Sequence, residues 1–188
     1  MICEPDLDAL HRFHAMLTTD RAQALVGLKE LAERGSVSSM LQIAEAYRNG
    51  TGTDVDLLQS NEWFRRATDA GSMLASYELA RNYMQTKDYD KAIEMYSLGA
   101  ENGYPPSMHM LGAFYATGRR VPRDRNKARE LFEGAAAQGH LYEKAKLRCL
   151  LMRGGFGFRQ RLRGVRLALS IPKDLVKIWR DPYSERLR

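Results

Sequence analysis

The sequence lacks the features that define secreted disulfide scaffolds and membrane proteins. Only two cysteines, Cys3 and Cys149, occur in 188 residues, which is too few for a disulfide scaffold, and their spacing fits no metal site, so we expect reduced thiols. No apolar run approaches the roughly 20 residues that span a bilayer. The N-terminal stretch MICEPDLDAL lacks the basic and apolar regions of a signal peptide. We therefore expect a cytoplasmic protein.

Recognisable catalytic motifs are also missing. No glycine-rich phosphate loop follows a strand, no segment has the period of a strand, and no nucleophile motif is present. His11 and His14 lie three residues apart on an expected helix and could share a metal ion, but no third ligand is evident nearby. Asp6 and Asp8 are interpreted more simply as acids at a helix start. We expect no enzyme activity, no cofactor and no metal.

Charge is distributed unevenly along the chain. The 29 Lys and Arg outnumber the 23 Asp and Glu, for a net charge of +6. Residues 140–188 hold 13 of these cations and 4 of the acids, which leaves 16 cations and 19 acids before position 140. The body is thus slightly acidic and the C-terminal tail strongly basic, which indicates different roles for the two parts.

One order of residues recurs along the body. Gly35, Gly71, Gly103 and Gly139 stand 36, 32 and 36 residues apart. Each is preceded at fixed distances by an acid, a small residue, a large residue and a second small residue. The acids are Asp20, Asp56, Asp88 and Asp124; the small residues are Ala24, Ser60, Ala92 and Ala128, then Ala32, Thr68, Ala100 and Ala136; the large ones are Leu28, Phe64, Tyr96 and Phe132. This pattern predicts a helix that begins at an aspartate cap, buries one stripe and ends at a left-handed glycine.

A second helix is expected before each of the later aspartates. Tyr47, Tyr83 and Tyr115 each follow one of the glycines by 12 residues. An apolar residue precedes each tyrosine by four positions and a small residue by three: Ile43, Leu79 and Leu111, then Ala44, Ala80 and Gly112. The small residue lets the partner helix approach closely and the tyrosine fills the next turn. Each repeat is therefore a helix pair, joined by NGTGTDVD, MQTKD or TGRRVPRD.

The stretch LGAFYATGRRVPRDRNKARELFEGAAAQG at residues 111–139 resembles a Sel1-like repeat, a relative of the tetratricopeptide repeat, with Arg120 where the second loop glycine is usual. Residues 43–71 resemble it less closely, and residues 72–103 keep DKAIEMYSLGAENG without the glycine loop. The resemblance implies an all-α protein, a right-handed α-solenoid of stacked antiparallel helix pairs with a basic amphipathic C-terminal helical extension. It also implies a non-enzymatic adaptor or scaffold for other proteins.

The expected organisation follows from the repeat boundaries. A divergent N-terminal helix pair occupies residues 1–35, the repeats occupy 36–71, 72–103 and 104–139, and a partial repeat with the basic tail occupies 140–188. By analogy with tetratricopeptide helices, unused positions on the first helices should line a concave surface that binds a peptide segment of a partner. These positions are Leu41, Glu45, Arg48, Asn49, Leu74, Tyr77, Arg81, Met84, His109, Ala113, Thr117 and Tyr142, with Cys149 on the same last helix.

The tail contains two amphipathic segments whose apolar sides must be buried. One interpretation is a cap on the open end of the solenoid. The other is attachment to an anionic membrane surface, which would place the protein at the inner face of a membrane. The candidate lipid contacts are Arg159, Arg161, Arg163, Arg166, Lys173, Lys177, Trp179 and Arg180. Nucleic acid is disfavoured as a partner, because phosphate binding does not require ordered apolar stripes.

Overall fold

The structure, a computed structural model, describes residues 6–17, 19–137, 163 and 165. Within these residues the chain is helical and has no strand, which confirms the all-α fold class. The helices are α1 (Leu7–Met16), α2 (Arg21–Glu33), α3 (Val37–Asn49), α4 (Leu57–Asp69), α5 (Met73–Gln85), α6 (Tyr89–Glu101), α7 (Pro105–Thr117) and α8 (Arg125–Ala137). The chain divides into a first unit, Met1–Met95, and a second unit, Tyr96–Arg188, with the boundary inside α6.

The predicted aspartate caps are confirmed at the starts of α2, α4, α6 and α8. The Asp56 carboxylate accepts the backbone N–H groups of Leu58 at 2.9 Å and Gln59 at 3.1 Å. Asp20, Asp88 and Asp124 each accept one backbone N–H from three residues further on, at 3.1, 3.4 and 3.0 Å. Each cap satisfies donors that have no partner inside the helix, so these starts are fixed by local chemistry.

The glycine helix ends are confirmed wherever the structure describes them. Gly35, Gly71 and Gly103 have φ of +93°, +92° and +76°, a left-handed conformation that costs glycine little. After each of them the next residue's N–H donates to a carbonyl five residues earlier, at 2.8 to 3.0 Å. The chain thereby reverses at a fixed place after every second helix of a pair. Gly139 lies outside the described residues.

The connectors within the pairs differ in length but close with the same hydrogen bond. The backbone N–H of Asp56 donates to the carbonyl of Tyr47 at 2.8 Å, and that of Asp88 donates to the carbonyl of Tyr83 at 2.9 Å. In the second unit the matching bond joins Asp124 to Tyr115 at 3.0 Å. The shorter middle connector therefore keeps the geometry of its helix pair, which confirms that the variation in repeat length falls in a loop.

The first unit has a continuous apolar core that follows the repeat pattern. Leu28, Ile43, Ala44 and Phe64 are fully buried within it, and Leu79 is 1% exposed. Burial at these spacings gives each helix one apolar stripe against its neighbours. The predicted packing positions of α2 to α5 are thus confirmed.

A polar contact also joins α4 and α5 inside the first unit. Asn82 is 1% exposed, and its amide nitrogen donates to Ser60 Oγ and Asn61 Oδ1, both at 2.9 Å. Ser60 occupies the repeat position that is alanine in α2, α6 and α8. The serine hydroxyl supplies an acceptor for the buried amide nitrogen of Asn82, so a polar residue at position 60 is matched to a polar residue on α5.

The second unit shows why a small residue is needed on the first helix of a pair. A Cβ atom added at Gly112 of α7 would lie 2.9 Å from Cε1 of the Phe132 ring on α8. Phe132 is only 3% exposed, so its ring has little room to move. The predicted close approach of the paired helices is confirmed at this contact.

We expect Asp56→Ala to destabilise the protein by about 1 kcal/mol, because two backbone donors at the start of α4 lose their acceptor. Asp54→Ala is the matched control: it removes the same charge from the same connector, and Asp54 is exposed, so its effect should stay within about 0.5 kcal/mol. Urea unfolding followed by circular dichroism measures both. Equal losses for the two variants would show that charge, rather than capping, matters here.

Candidate functional site

The predicted binding residues of the first unit lie on α3 and α5. On α5, Leu74, Tyr77, Arg81 and Met84 follow one another at intervals of three, four and three residues, which places them on one side of the helix. On α3 the predicted residues are Leu41, Glu45, Arg48 and Asn49. We call these eight residues the α3–α5 face.

An ion-pair network links the two helices across this face. Arg48 Nη1 donates to Glu78 Oε2 at 2.5 Å, and Arg81 Nη1 lies 3.0 and 2.9 Å from the two oxygens of the same carboxylate. Glu45 Oε1 is 3.7 Å from Arg48 Nη2. Glu78 is therefore shared by two arginines, one from each helix.

The two arginines differ in how far they are removed from water. The side chains of Arg48 and Glu78 are 16% and 11% exposed, whereas that of Arg81 is 54% exposed. Arg48 also lies over the buried Phe64 ring, with its guanidinium carbon 5.3 Å from the ring centroid. Arg48 is thus fixed by internal contacts, while Arg81 presents a large part of its side chain to solvent.

Apolar side chains on the α3–α5 face are only partly covered. Leu74 is 44% exposed, and Tyr77 and Met84 are half-buried. Leu41 is also half-buried and packs against the core of the first unit. Glu45 and Asn49 are exposed. The face therefore combines an accessible leucine with a tyrosine ring and an accessible guanidinium, and tyrosine and arginine are enriched among the residues that anchor protein segments.

In the second unit, the predicted residues His109, Ala113 and Thr117 lie on α7. The His109 ring packs against Phe132, with centroids 5.8 Å apart at an interplanar angle of 49°. The Thr117 hydroxyl donates to the carbonyl of Ala113 at 2.8 Å. His109 and Ala113 are half-buried and Thr117 is exposed. Tyr142 and Cys149 lie outside the described residues. Partner binding by all of these residues stays a prediction.

Tyrosines at the ends of the first helices have cationic neighbours that the sequence pattern did not indicate. Lys29 Nζ donates to the Tyr47 hydroxyl at 2.9 Å, and Lys91 Nζ lies 5.5 Å from the centroid of the Tyr83 ring. A hydrogen bond with Tyr83 raises the pKa of Arg65. Lys91 is paired with the carboxylate of Asp88 at 2.8 Å, which raises the pKa of Lys91 and lowers that of Asp88. Lys29 and Arg65 thus contact the tyrosine of the following helix pair, whereas Lys91 contacts the tyrosine of its own pair.

The predicted lipid contacts fall almost entirely outside the described residues. Arg159, Arg161, Arg166, Lys173, Lys177, Trp179 and Arg180 all lie there. Arg163 is described: its Nη1 donates to Glu133 Oε1 of α8 at 2.8 Å, and its side chain is 55% exposed. An arginine of the tail thus contacts α8, and both the capping of the solenoid and the lipid contact stay predictions.

The described residues also bear on the expectations about metal ions and membranes. No group of three or more His, Cys, Asp or Glu side chains among the described residues is arranged to hold a metal ion. His14 Nδ1 lies 3.2 Å from the side-chain oxygen of Gln42. Asp6 caps α1 by accepting the N–H of Ala9 at 2.9 Å, as expected. None of the described helices has the length and apolar character that crossing a membrane requires.

Comparison with known proteins identifies the repeat. The Sel1 repeat family matches residues 37–72, 73–104 and 105–140, more than half of the chain. A Sel1-like repeat-containing protein, L21, of Acanthamoeba polyphaga mimivirus is 30% identical over 88 residues, which are 47% of this chain and 16% of that protein. The chain thus aligns with only a small part of that relative.

Two solved structures are similar in fold at 22% sequence identity. A Sel1 repeat protein from Oxalobacter formigenes superposes with a TM-score of 0.73, and the match covers 88% of this chain and 73% of that protein's chain. The protective antigen c5321 of uropathogenic Escherichia coli, which has a Sel1-like repeat (SLR) fold, superposes with a TM-score of 0.70. The match covers 88% of this chain and 38% of that protein's chain. These likenesses establish the helical-repeat solenoid fold.

We expect the two arginines that share Glu78 to differ in their effect on stability. Arg48→Ala should cost about 2 kcal/mol, because it removes the less exposed partner of a buried carboxylate together with contacts to Phe64. Arg81→Ala should cost about 0.5 kcal/mol or less, since an exposed ion pair contributes little. Chemical unfolding of both variants measures the difference. Equal costs would contradict the structural role assigned to Arg48.

Proposed function

Because the chain belongs to the Sel1 repeat family, whose members generally mediate protein–protein interactions, we propose that it is a non-enzymatic adaptor that binds a segment of another protein. The proposed binding surface is the α3–α5 face of the first unit. The observation that carries the proposal is the exposure of Leu74 and Arg81 on either side of Tyr77, on a helix held by the Arg48–Glu78 pair.

The chemistry of this face suits a peptide with both apolar and acidic groups. Leu74, at 44% exposed, and the half-buried Tyr77 and Met84 offer apolar area to an aliphatic or aromatic side chain of the partner. Arg81, which is 54% exposed although it pairs with Glu78, offers positive charge to a carboxylate of the same partner. Burial of the leucine and tyrosine would supply most of the binding free energy, and the arginine would set orientation.

Rigidity of the supporting helix favours this surface over an exposed loop. The Arg48–Glu78 pair ties α5 to α3, and the Asn82–Ser60 contact ties α5 to α4. A surface that is already ordered loses less conformational entropy when a partner binds. We therefore propose that α5 is the main recognition helix of the first unit.

We expect the paired substitution Tyr77→Ala and Arg81→Ala to reduce capture of the partner about tenfold or more, because it removes an aromatic anchor and an exposed cation. Affinity capture from the native cell with mass spectrometry identifies bound proteins, and titration of the purified partner then measures affinity. The matched control is Leu58→Ala with Arg12→Ala, which removes one exposed apolar and one exposed cationic side chain from α4 and α1.

The control variant should bind as the unaltered chain does, and circular dichroism should show unchanged helicity for both. Undiminished capture by the Tyr77 and Arg81 variant would reject the α3–α5 face as the binding surface.

A further inference from the structure

A concentrated positive charge lies where α7 turns into α8. Residues 118–127, here named the basic connector, contain five cations and one acid, in the order GRRVPRDRNK. The matching stretch of the first unit, residues 50–59, reads GTGTDVDLLQ and has two acids and no cation. Both stretches join the helices of one pair and close with the same backbone bond. The backbone bond that closes the connector therefore does not depend on these cations.

The cations of the basic connector are accessible and held in place. Arg119, Arg120, Arg123 and Lys127 are all exposed. Arg123 Nε donates to the carbonyl of Ala116 at 3.1 Å, which fixes that side chain against the end of α7. Lys127 Nζ lies 4.5 Å from the centroid of the Tyr115 ring, and a hydrogen bond with this tyrosine raises the pKa of Lys127. The lysine is therefore charged at neutral pH.

Arg120 has a left-handed backbone conformation that is unfavourable for arginine. Arg120 has a φ of +63°, and Gly52, at the matching position of the first unit, has a φ of +75°. Glycine adopts this region at little cost, whereas a residue with a Cβ is strained there. The chain thus keeps an exposed cation at a conformational cost at Arg120, as it does at Lys87 in the connector between α5 and α6.

We propose that the basic connector docks an acidic protein segment, rich in Asp and Glu, as a second contact with a partner. The proposal goes beyond binding on the α3–α5 face and uses different residues, so it stands or fails separately. Exposed guanidinium and ammonium groups bind carboxylates through charge-assisted hydrogen bonds. The matching connector has Asp54 and Asp56 and no cation, and this difference in charge would make the site specific to one repeat.

The surroundings favour a protein segment over the other anionic macromolecules. Membrane attachment through an amphipathic surface needs exposed large apolar groups beside the cations, but Val121 is half-buried and Pro122 is the exposed apolar residue of the connector. Single-stranded nucleic acid is bound by aromatic rings on which bases stack, and the Tyr115 ring is already covered by Lys127. Neither requirement is met by the described residues of this surface.

Arg120→Gly and Lys87→Gly form a matched pair for the test. Lys87 is also exposed and also has a φ of +63°, but it lies in the connector between α5 and α6. Each substitution removes one positive charge and relieves the same backbone strain. The full chain is titrated into a fluorescein-labelled peptide of alternating Glu and Ser at low salt, and anisotropy reports the affinity.

Arg120→Gly should raise Tm and weaken peptide binding about two- to fivefold, as expected for loss of one exposed charge pair. Lys87→Gly should raise Tm in the same way and leave the affinity unchanged. Arg119→Gln should weaken binding by a similar factor without raising Tm, and Arg119→Gln with Arg120→Gly should weaken it about tenfold. A higher Tm together with weaker peptide binding in Arg120→Gly would show that Arg120 acts in binding and not in stabilising the fold.

Four results would overturn the proposal. One is that the unaltered chain does not bind the acidic peptide measurably, and another is that the Arg119 and Arg120 variants bind it as tightly as the unaltered chain does. Equal weakening by Lys87→Gly would show that net charge alone is responsible. Parallel titrations use a short duplex DNA and vesicles of phosphatidylserine in phosphatidylcholine; tighter binding of either one than of the peptide, lost in the Arg119 and Arg120 variants, would assign the surface to that macromolecule.

Discussion

The contact between Gly112 and the Phe132 ring determines how closely α7 and α8 can approach in the second unit. Even the single carbon of an alanine at position 112 would lie 2.9 Å from the ring, which is 3% exposed. In the first unit the matching positions are Ala44 and Phe64, both fully buried. A small residue facing a large one fixes the register of each helix pair, because neither helix can slide without opening a cavity or creating a clash. Residues outside this contact are then available for other roles.

Fixed helix ends allow the connectors to vary in length and charge. In all three described repeats, the N–H of the capping aspartate donates to the carbonyl of the tyrosine that precedes the connector. This bond closes a short connector at Asp88 as well as longer ones at Asp56 and Asp124. The intervening residues therefore carry acids in one repeat and arginines in another without altering the helix pair. Differences between repeats, rather than the shared pattern, underlie the binding chemistry that we propose.

Local signals in the sequence were enough to predict the helix pairs, but they did not predict the long-range contacts between side chains. Caps, glycine ends and the buried stripe depend on residues within one or two turns of each other, so their spacing is visible. Glu78 was missed because its partner Arg48 lies 30 residues earlier, although its position three residues before Arg81 was a usable sign. The cations around the tyrosines were missed for the same reason. Lys29 and Arg65 stand 36 residues apart, as do Lys91 and Lys127, a second periodicity that a search for polar repeats would have found.

The central claim is that a small residue opposite an aromatic ring sets the packing of each helix pair, and a double-mutant cycle tests it most directly. Alanine is a better helix former than glycine by about 1 kcal/mol, yet Gly112→Ala should destabilise the protein, because the added carbon meets the Phe132 ring. In a Phe132→Leu background the same substitution should be stabilising, since the ring atoms that it would meet are gone. The free energy of unfolding in urea measures both steps. A stabilising effect of equal size in both backgrounds would contradict the account.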